Sequence, residues 1–312
     1  MTGPIHTPSP AVLERAVSLL EQGQLVAIPT ETVYGLGADA SNANAVASIY
    51  ALKDRPSFNP LIAHCKSVDA AFAHGQVTPG ARKLANAFWP GPLTLVLEAT
   101  EHCAVCRLAR AGLDTIAVRV PAHPVLSELL QIFGRPIVAP SANPSGRISP
   151  TRAEHVAADF GDQIEMILQG GPSAAGLEST IVDARESEPV LLREGPISQS
   201  DIEAVWPGLK TNLGAPDAPR APGQLLRHYA PNAALRLNVI TPEAGELLLG
   251  FGQVVGDMTL SATGDLSEAA ANLFDHIRSL DTRTTRIAVA PIPEHGIGAA
   301  INDRLTRAAE KR

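Results

Sequence analysis

The 312-residue chain predicts an α/β fold built on a mixed sheet, with a second, smaller α/β unit behind it. Three observations carry that expectation. Short β-branched runs alternate with helical stripes over residues 10–206, the pattern of strands whose ends converge on a cleft. Late in this region strand follows strand at short intervals, which argues for a sheet that is not wholly parallel. From Pro207 to Gly223, four prolines and three glycines fall in 17 residues, a linker signature. The expected division is 1–206 for the main domain, 207–231 for a linker and lid, and 232–312 for the C-terminal domain. About eighty residues is near the lower limit for an independent core, so the last unit is expected to dock on the first.

The elements follow in order. Ser9-Pro10 supplies an N-cap and a first-turn proline, Val12, Ala16, Leu19 and Leu20 recur at helical spacing, and Gly23 ends the helix. Leu25 to Ile28 reads as a strand. It runs into Pro29-Thr-Glu-Thr-Val-Tyr-Gly-Leu-Gly37, whose hydroxyls and glycines suit a loop lining a polar pocket. A helical stretch from Asn44 to Leu52 leads to Lys53-Asp-Arg55-Pro-Ser-Phe-Asn59-Pro60. Pro56 and Pro60 oppose helical continuation, so Lys53 and Arg55 are expected in a loop at the sheet edge. Pro60 to Cys65 reads as a short buried strand. Ala81 to Phe88 reads as helix, stopped by Trp89-Pro-Gly-Pro92. Leu93–Leu97, Thr115–Val120 and Pro136–Ala139 read as strands, and Pro124–Phe133 as helix. Met166–Leu168, Ser179–Val182 and Val190–Leu192 are further strands, and Ser198–Val205 a helix. Beyond the linker, Leu235–Ile240 and Ile287–Ala290 read as strands. Leu266, Ala270, Leu273, Ile277 and Leu280 form one helical stripe, and Ile297, Ile301, Leu305 and Ala308 another.

Composition narrows the function. The net charge is −7, from 25 basic and 32 acidic residues, so the chain is not a general polyanion coat. Yet residues 51–150 carry 10 Lys/Arg against 6 Asp/Glu, and residues 151–200 carry 3 against 9. A positive segment inside an acidic protein suggests a specific anion site. Three cysteines give no disulfide framework and suit a reducing compartment. One Cys103-Ala-Val-Cys106 pair is half of a four-ligand zinc site and has no second half. Met1-Thr-Gly-Pro-Ile-His lacks the basic-then-apolar form of a signal peptide and no apolar run approaches the roughly 20 residues that span a bilayer, so a cytoplasmic protein without membrane contact is expected.

Four further clusters sit at strand ends. Arg119 closes the apolar run Thr115-Ile-Ala-Val-Arg119, and a buried guanidinium needs an anion, either a ligand or a structural partner. Pro140-Ser-Ala-Asn143-Pro-Ser-Gly146, with Ser149 after it, offers small polar residues and backbone N–H groups of the kind that hold phosphate or ribose, or that make a hydroxyl-rich turn. Gly176-Leu-Glu-Ser179-Thr-Ile-Val-Asp183 and Leu192-Arg193-Glu-Gly-Pro196 repeat the theme. Singly these are weak signals.

In order they are specific. Pro29 to Gly37, Lys53-x-Arg55, Pro60-Leu-Ile-Ala-His64, Trp89-Pro-Gly-Pro-Leu-Thr94, Val118-Arg-Val-Pro121, Pro140-Ser141-Ala-Asn143, Ser179-Thr-Ile-Val-Asp183 and Arg193-Glu-Gly-Pro196 together resemble the YrdC-like family. Lys53/Arg55 and Ser141/Asn143 are its hallmark pairs, and the match covers roughly residues 10–206. Arg227-His-Tyr-Ala-Pro231 followed by a C-terminal unit resembles the family's long, two-domain form. The resemblance implies a twisted mixed sheet with a concave, positive face, then a smaller Rossmann-like α/β domain. It implies synthesis of L-threonylcarbamoyl-adenylate and pyrophosphate from L-threonine, bicarbonate (or CO2) and ATP, with other proteins passing the group to tRNA beside the anticodon.

On that resemblance, Lys53, Arg55, Ser141 and Asn143 are the catalytic set. Arg55, Asn59, Thr115, Ser141, Ser149 and Arg193 would hold ATP. Thr32, His64, Arg119, Ser179 and the Ala139 backbone would hold L-threonine, with Arg119 on its carboxylate. Arg227, His228 and Tyr229 would form a lid. Mg2+ would arrive on the phosphates, with no organic cofactor and no dedicated protein cage. Partners would be downstream threonylcarbamoyl-transfer proteins, with a weak direct contact to tRNA. The chain departs from the family pattern at Ala221-Pro-Gly-Gln-Leu-Leu226, where Ser-Pro-Gly-Met-Lys-Tyr is usual, and in its shorter C-terminal unit. The main rival is an RNA-binding module of the same fold, opposed by the acidic total charge and by 4% aromatics. Carbamoyl-adenylate formation for hydrogenase maturation and an inactive scaffold are lesser rivals. The cysteine pairs of the former are absent, and the intact hallmark pairs oppose the latter.

Overall fold

The computed structural model describes residues 5–213 and 228–310. A large mixed sheet runs from the edge strand Ile5–His6 through Met166–Leu168, Val26–Ile28, Gly35–Asp39 and Ile137–Val138 to Ile62–His64. It continues through Thr115–Arg119, Leu93–Ala99, Thr180–Asp183 and Val190–Arg193 to Lys210–Thr211. The sheet mixes parallel and antiparallel neighbours: Ile62–His64 lies parallel to Thr115–Arg119, which lies antiparallel to Leu93–Ala99. One consequence matters for the site. His64 and Arg119 end parallel neighbours in register, so their side chains leave the same face side by side.

Helices pack where the sequence places their apolar stripes. Ser9 caps Pro10–Glu21 through its side chain, and Leu13, Ala16, Leu19 and Leu20 face inward. They meet Leu126, Leu129, Leu130 and Phe133 of the helix Pro124–Phe133 in one core layer, over Val26, Ile28 and Ile137 of the sheet. The helices Ala43–Lys53, Pro79–Phe88, Ala153–Phe160 and Gln199–Val205 contribute to the main core. Ser198 and Asp201 close a capping box on the last of these.

The C-terminal unit is a parallel sheet in the order Ala234–Arg236, Arg286–Val289, Leu247–Gly250, Met258–Thr259, flanked by the helices Leu266–Asp281 and Ile297–Ala309. A parallel sheet with helices packed on it is the α/β arrangement that the resemblance implied, although only one crossover, Met258–Thr259 to Arg286–Val289, runs through a helix. Its core does not close on itself. Val33, Ile148 and Leu177 of the large unit are buried in the same cluster as Leu249, Leu273, Phe274 and Ile301. Gly176 shows how tight the seam is: it has φ +67°, and an added Cβ would stand 2.2 Å from the Ala270 carbonyl oxygen.

Three local expectations change. Lys53 is not in a loop. It is the last residue of the helix Ala43–Lys53, whose C-cap Asp54 turns left-handed at φ 49°. Pro56 restricts only Arg55, the residue before it, and so permits helix through Lys53. Gly35–Asp39 pairs antiparallel with Val26–Ile28, so the expected loop is the turn of a hairpin. Strand pairing after the linker covers Ala234–Arg236 alone, because Asn238 takes a left-handed φ of 59° and Ile240 is exposed.

Candidate active site

The cavity opens where strand ends and turns converge on the concave face of the large sheet. Arg119 anchors one wall. Its Nε donates to the Gly91 carbonyl at 3.2 Å, its Nη1 donates to Thr32 Oγ1 at 2.9 Å, and its Nη2 lies 2.6 Å from Glu31 Oε1. Burial works to raise the Glu31 pKa, but the Arg119 charge and hydrogen bond bring it below the ordinary carboxylate value. The ion pair offsets the desolvation of both groups. Thr32 is braced in turn by Thr30, hydroxyl to hydroxyl at 2.8 Å. Beside them His64 is buried, and burial followed by the nearby Arg119 charge pushes its pKa down to about 3. It is a neutral imidazole, and among the described residues its Nδ1 has no partner.

The second wall is the segment after Ile137–Val138. Ala139, Pro140 and Ser141 line the cavity opposite Gly35, where an added Cβ would stand 2.9 Å from the Ala139 Cβ. This segment is fixed from behind. Lys53 Nζ donates to the Ser141 carbonyl at 2.6 Å and to the Asn143 carbonyl, while Ser145 N–H donates to the Lys53 carbonyl at 2.8 Å. Burial and then the neighbouring Arg55 push the Lys53 pKa well below its usual value. Asn143 Nδ2 donates to the Pro144 and Arg147 carbonyls, and its Oδ1 has no partner among the described residues. Arg55 itself faces the cavity, steadied by the Asn59 and Pro60 carbonyls at 3.4 and 3.2 Å. Burial lowers its pKa to about 10, which leaves it cationic at neutral pH.

The third wall joins both units. Arg193 Nε donates to the Ser179 carbonyl at 3.0 Å and its Nη2 to Ser179 Oγ at 3.1 Å. Ser179 Oγ also meets Thr94 Oγ1 at 2.7 Å. Next to Ser179, Glu178 accepts from Ser149 Oγ at 2.5 Å and from Arg304 Nε at 2.9 Å. His228 and Tyr229 close this side. Tyr229 is buried in a left-handed conformation at φ 65°, a strained backbone for a bulky residue. Its ring stacks on Phe274 with centroids 5.5 Å apart, and the Arg304 guanidinium lies 5.1 Å from its centroid. Burial pushes the His228 pKa down to about 3.

The cavity therefore brings together Thr32, Arg55, His64, Arg119, Ala139, Ser141, Ser179, Arg193, His228 and Tyr229 of the residues singled out in the sequence. Lys53, Asn143 and Ser149 stand behind its walls. Asn59 is buried beside Arg55, and neither heteroatom of its amide has a partner among the described residues. Thr115 begins the strand that ends at Arg119, half-buried and on the same face, outside the cavity lining. Arg227 lies outside the described residues, as does Ala221–Leu226. Sequence reasoning passed over Glu31, Glu178 and Arg304. The first two sit inside motifs that were recognised, and each gives a nearby arginine its anion. Arg304 carried only a helical phase, one place before Leu305 of an apolar stripe.

Three guanidinium groups and one carboxylate in a cavity at strand ends define an α/β protein that takes small anionic ligands. The relatives are more particular. A family profile for Sua5, YciO and YrdC proteins, described as telomere recombination, matches residues 18–195, and one described as the threonylcarbamoyl-AMP synthase C-terminal domain matches residues 197–310. The threonylcarbamoyl-AMP synthase of Pyrococcus abyssi is 41% identical, over 95% of this chain and 94% of its own. That of Bacillus subtilis is 39% identical, over 100% of this chain and 96% of its own. The crystal structure of P. abyssi Sua5 complexed with L-threonine superposes with a TM-score of 0.89 at 38% identity, covering 98% of this chain and 97% of that one. The chain belongs to the Sua5/YciO/YrdC family, in its two-domain form.

Proposed function

We infer that this chain is a threonylcarbamoyl-AMP synthase. It joins L-threonine, bicarbonate (or CO2) and ATP into L-threonylcarbamoyl-adenylate and releases pyrophosphate, the first step of threonylcarbamoyladenosine modification of tRNA. The observation that carries this reading is a single cavity shared by two groups of residues. Thr32, His64, Arg119 and Ser179 suit a small amino acid, and Arg55 and Arg193 suit a phosphate chain.

The chemistry fits the walls. The threonine nitrogen bonds to the carbon of CO2 and loses a proton, giving a carbamate. A carbamate oxygen then bonds to the α-phosphorus, the bond from that phosphorus to the bridging oxygen breaks, and pyrophosphate leaves with the electron pair. Two anions must meet, so fixed cations and alignment matter more than an acid or base. In this reading Arg119 takes the threonine carboxylate bidentately while Glu31 holds it from behind. Neutral His64 and the Thr32 and Ser179 hydroxyls surround the rest, with the Ala139 backbone at the amino group. Arg55, Asn59, Thr115, Ser141, Ser149 and Arg193 serve the nucleotide, which brings its own Mg2+. Lys53 and Asn143 shape the segment 140–146 from the rear. His228 and Tyr229, with Arg227, make the lid that keeps water from the carbamate and the mixed anhydride.

This reading places the protein in the cytoplasm, handing its product to tRNA-modifying transfer proteins and touching tRNA weakly itself. No helix among the described residues is long and apolar enough to cross a membrane. The direct test is the product. Incubation with ATP, bicarbonate and isotopically labelled L-threonine, followed by mass spectrometry, should give labelled threonylcarbamoyl-adenylate. Labelled threonyl-adenylate, or AMP without any threonine adduct, would overturn the assignment.

A further inference from the structure

Arg304 belongs to the helix Ile297–Ala309 of the C-terminal unit, yet its side chain is wholly buried against the cavity wall. Nε donates to Glu178 Oε2 at 2.9 Å and Nη2 to the Glu194 carbonyl at 2.8 Å. Nη1 donates to Asp303 Oδ2 at 2.6 Å, which aims the fork. Asp303 is itself held by Arg307 Nε at 2.9 Å. The guanidinium carbon lies over the Tyr229 ring, 5.1 Å from its centroid. One side chain thus reaches a wall residue, a strand end and the lid at once.

Glu178 gives this contact its meaning. It is the one carboxylate among the described cavity-lining residues. L-threonine and ATP, two substrates of the proposed reaction, both carry anionic groups. A bare carboxylate in that wall would oppose a bound phosphate.

We propose that Arg304 is a positioning residue of the synthase site: reaching in from the C-terminal unit, it neutralises Glu178 and braces Tyr229, so that the wall accepts a nucleotide. The proposal rests on the synthase reading and explains why the core of the second unit is shared with the first. Arg304 touches no substrate. It acts through Glu178 and Tyr229. Burial tends to raise the Glu178 pKa, but Arg304, then Arg193, then the Ser149 hydrogen bond bring it down to about 2. Without Arg304 the Glu178 pKa rises, since burial is then opposed by Arg193 and the Ser149 hydrogen bond alone. The groups facing it are Arg193 and Ser149 of the large unit, His228 and Tyr229 of the lid, and Asp303 beside Arg304. His228 titrates near 3, Arg193 near 10 and Tyr229 near 12, so none of these three changes charge between pH 5.5 and 8.

The test uses the full chain as wild type, Arg304→Met, Arg304→Lys, Glu178→Gln and the double variant Arg304→Met/Glu178→Gln. Mg-ATP binding is titrated calorimetrically from pH 5.5 to 8, with thermal melting as the check on folding. Arg304→Met should raise the ATP Kd on the order of tenfold at pH 8, and the defect should shrink as the pH falls and Glu178 takes a proton. Glu178→Gln added to it should bring Kd back to within about threefold of wild type and remove the pH dependence. A structural pair alone would lower the melting temperature of Arg304→Met and leave Kd of the folded protein flat with pH. Should Arg304→Met fail to fold, the double variant, which has no orphaned charge, and Arg304→Lys, which keeps the charge, still decide. Both should bind ATP within about threefold of wild type, and a tenfold loss in the double variant would overturn the proposal. Pyrophosphate release by the wild type in parallel reports on the synthase reading separately, since ATP binding does not depend on it.

Discussion

Glu31 Oε1 lies 2.6 Å from Arg119 Nη2, and the same guanidinium donates to Thr32 Oγ1 at 2.9 Å and to the Gly91 carbonyl at 3.2 Å. The arginine reaches the cavity already oriented, its desolvation offset by a partner that lies outside the cavity lining. A carboxylate ligand then meets a fork with little rotamer freedom left to lose.

Arg119→Lys keeps the charge and loses the fork. The KM for L-threonine should rise on the order of 10- to 100-fold, with the KM for ATP changed by less than about threefold. Steady-state pyrophosphate release with each substrate varied checks this. An equal rise in both constants would mean that Arg119 serves the fold or the nucleotide, not the amino acid.

Lys53→Ala removes the clip between the helix Ala43–Lys53 and the Ser141 and Asn143 carbonyls. Two buried carbonyls lose their donor, which costs about 1–3 kcal/mol each in stability. The segment 140–146 loosens, and kcat should fall by about two orders of magnitude. Lys53→Met, of similar length, should fare no better, because the lost function is donation. Full activity in either variant contradicts the clip.

His64 and His228 are pushed down to about 3 by burial first of all, so neither imidazole changes charge near neutrality. In two-dimensional NMR of the histidine rings, these two should show no titration between pH 5 and 8. A midpoint near 6.5 for either would mean that the ring is open to water.

Acid stability follows with a definite sign. Glu178 sits near 2 in the folded chain against 4.5 unfolded, so its contribution is fully present above pH 4.5 and is lost as pH falls through 2, about 3 kcal/mol in all. His64 and His228 act earlier. Buried neutral, they favour the unfolded state increasingly as pH drops from 6.5 towards 3. Denaturant midpoints should therefore decline in two stages below pH 6.5. Glu178→Gln should shrink the lower stage.

Much of this was legible in the chain, for identifiable reasons. Ser9-Pro10 announced a helix start through capping chemistry, and Ser9 caps as expected. The run Pro60-Leu-Ile-Ala-His64 gave a strand with its histidine at the end. Strand ends put His64, Arg119 and Arg193 into one cavity, as their position after apolar runs suggested. Long-range pairing was not legible. Lys53 was expected in a loop, because nothing local says that its ammonium will meet carbonyls 88 and 90 residues away. Glu178 and Arg304 lie 126 residues apart in different units, and nothing local to either announces the other. Helix phase hid Arg304 among apolar neighbours, where a buried arginine is hard to tell from an exposed one.

The central claim is that threonine and ATP react in one cavity. Pyrophosphate release from ATP and bicarbonate, measured on the wild type with and without L-threonine, tests it most directly. The account predicts release that depends on threonine, and little without it. No release, or release indifferent to threonine, would contradict it.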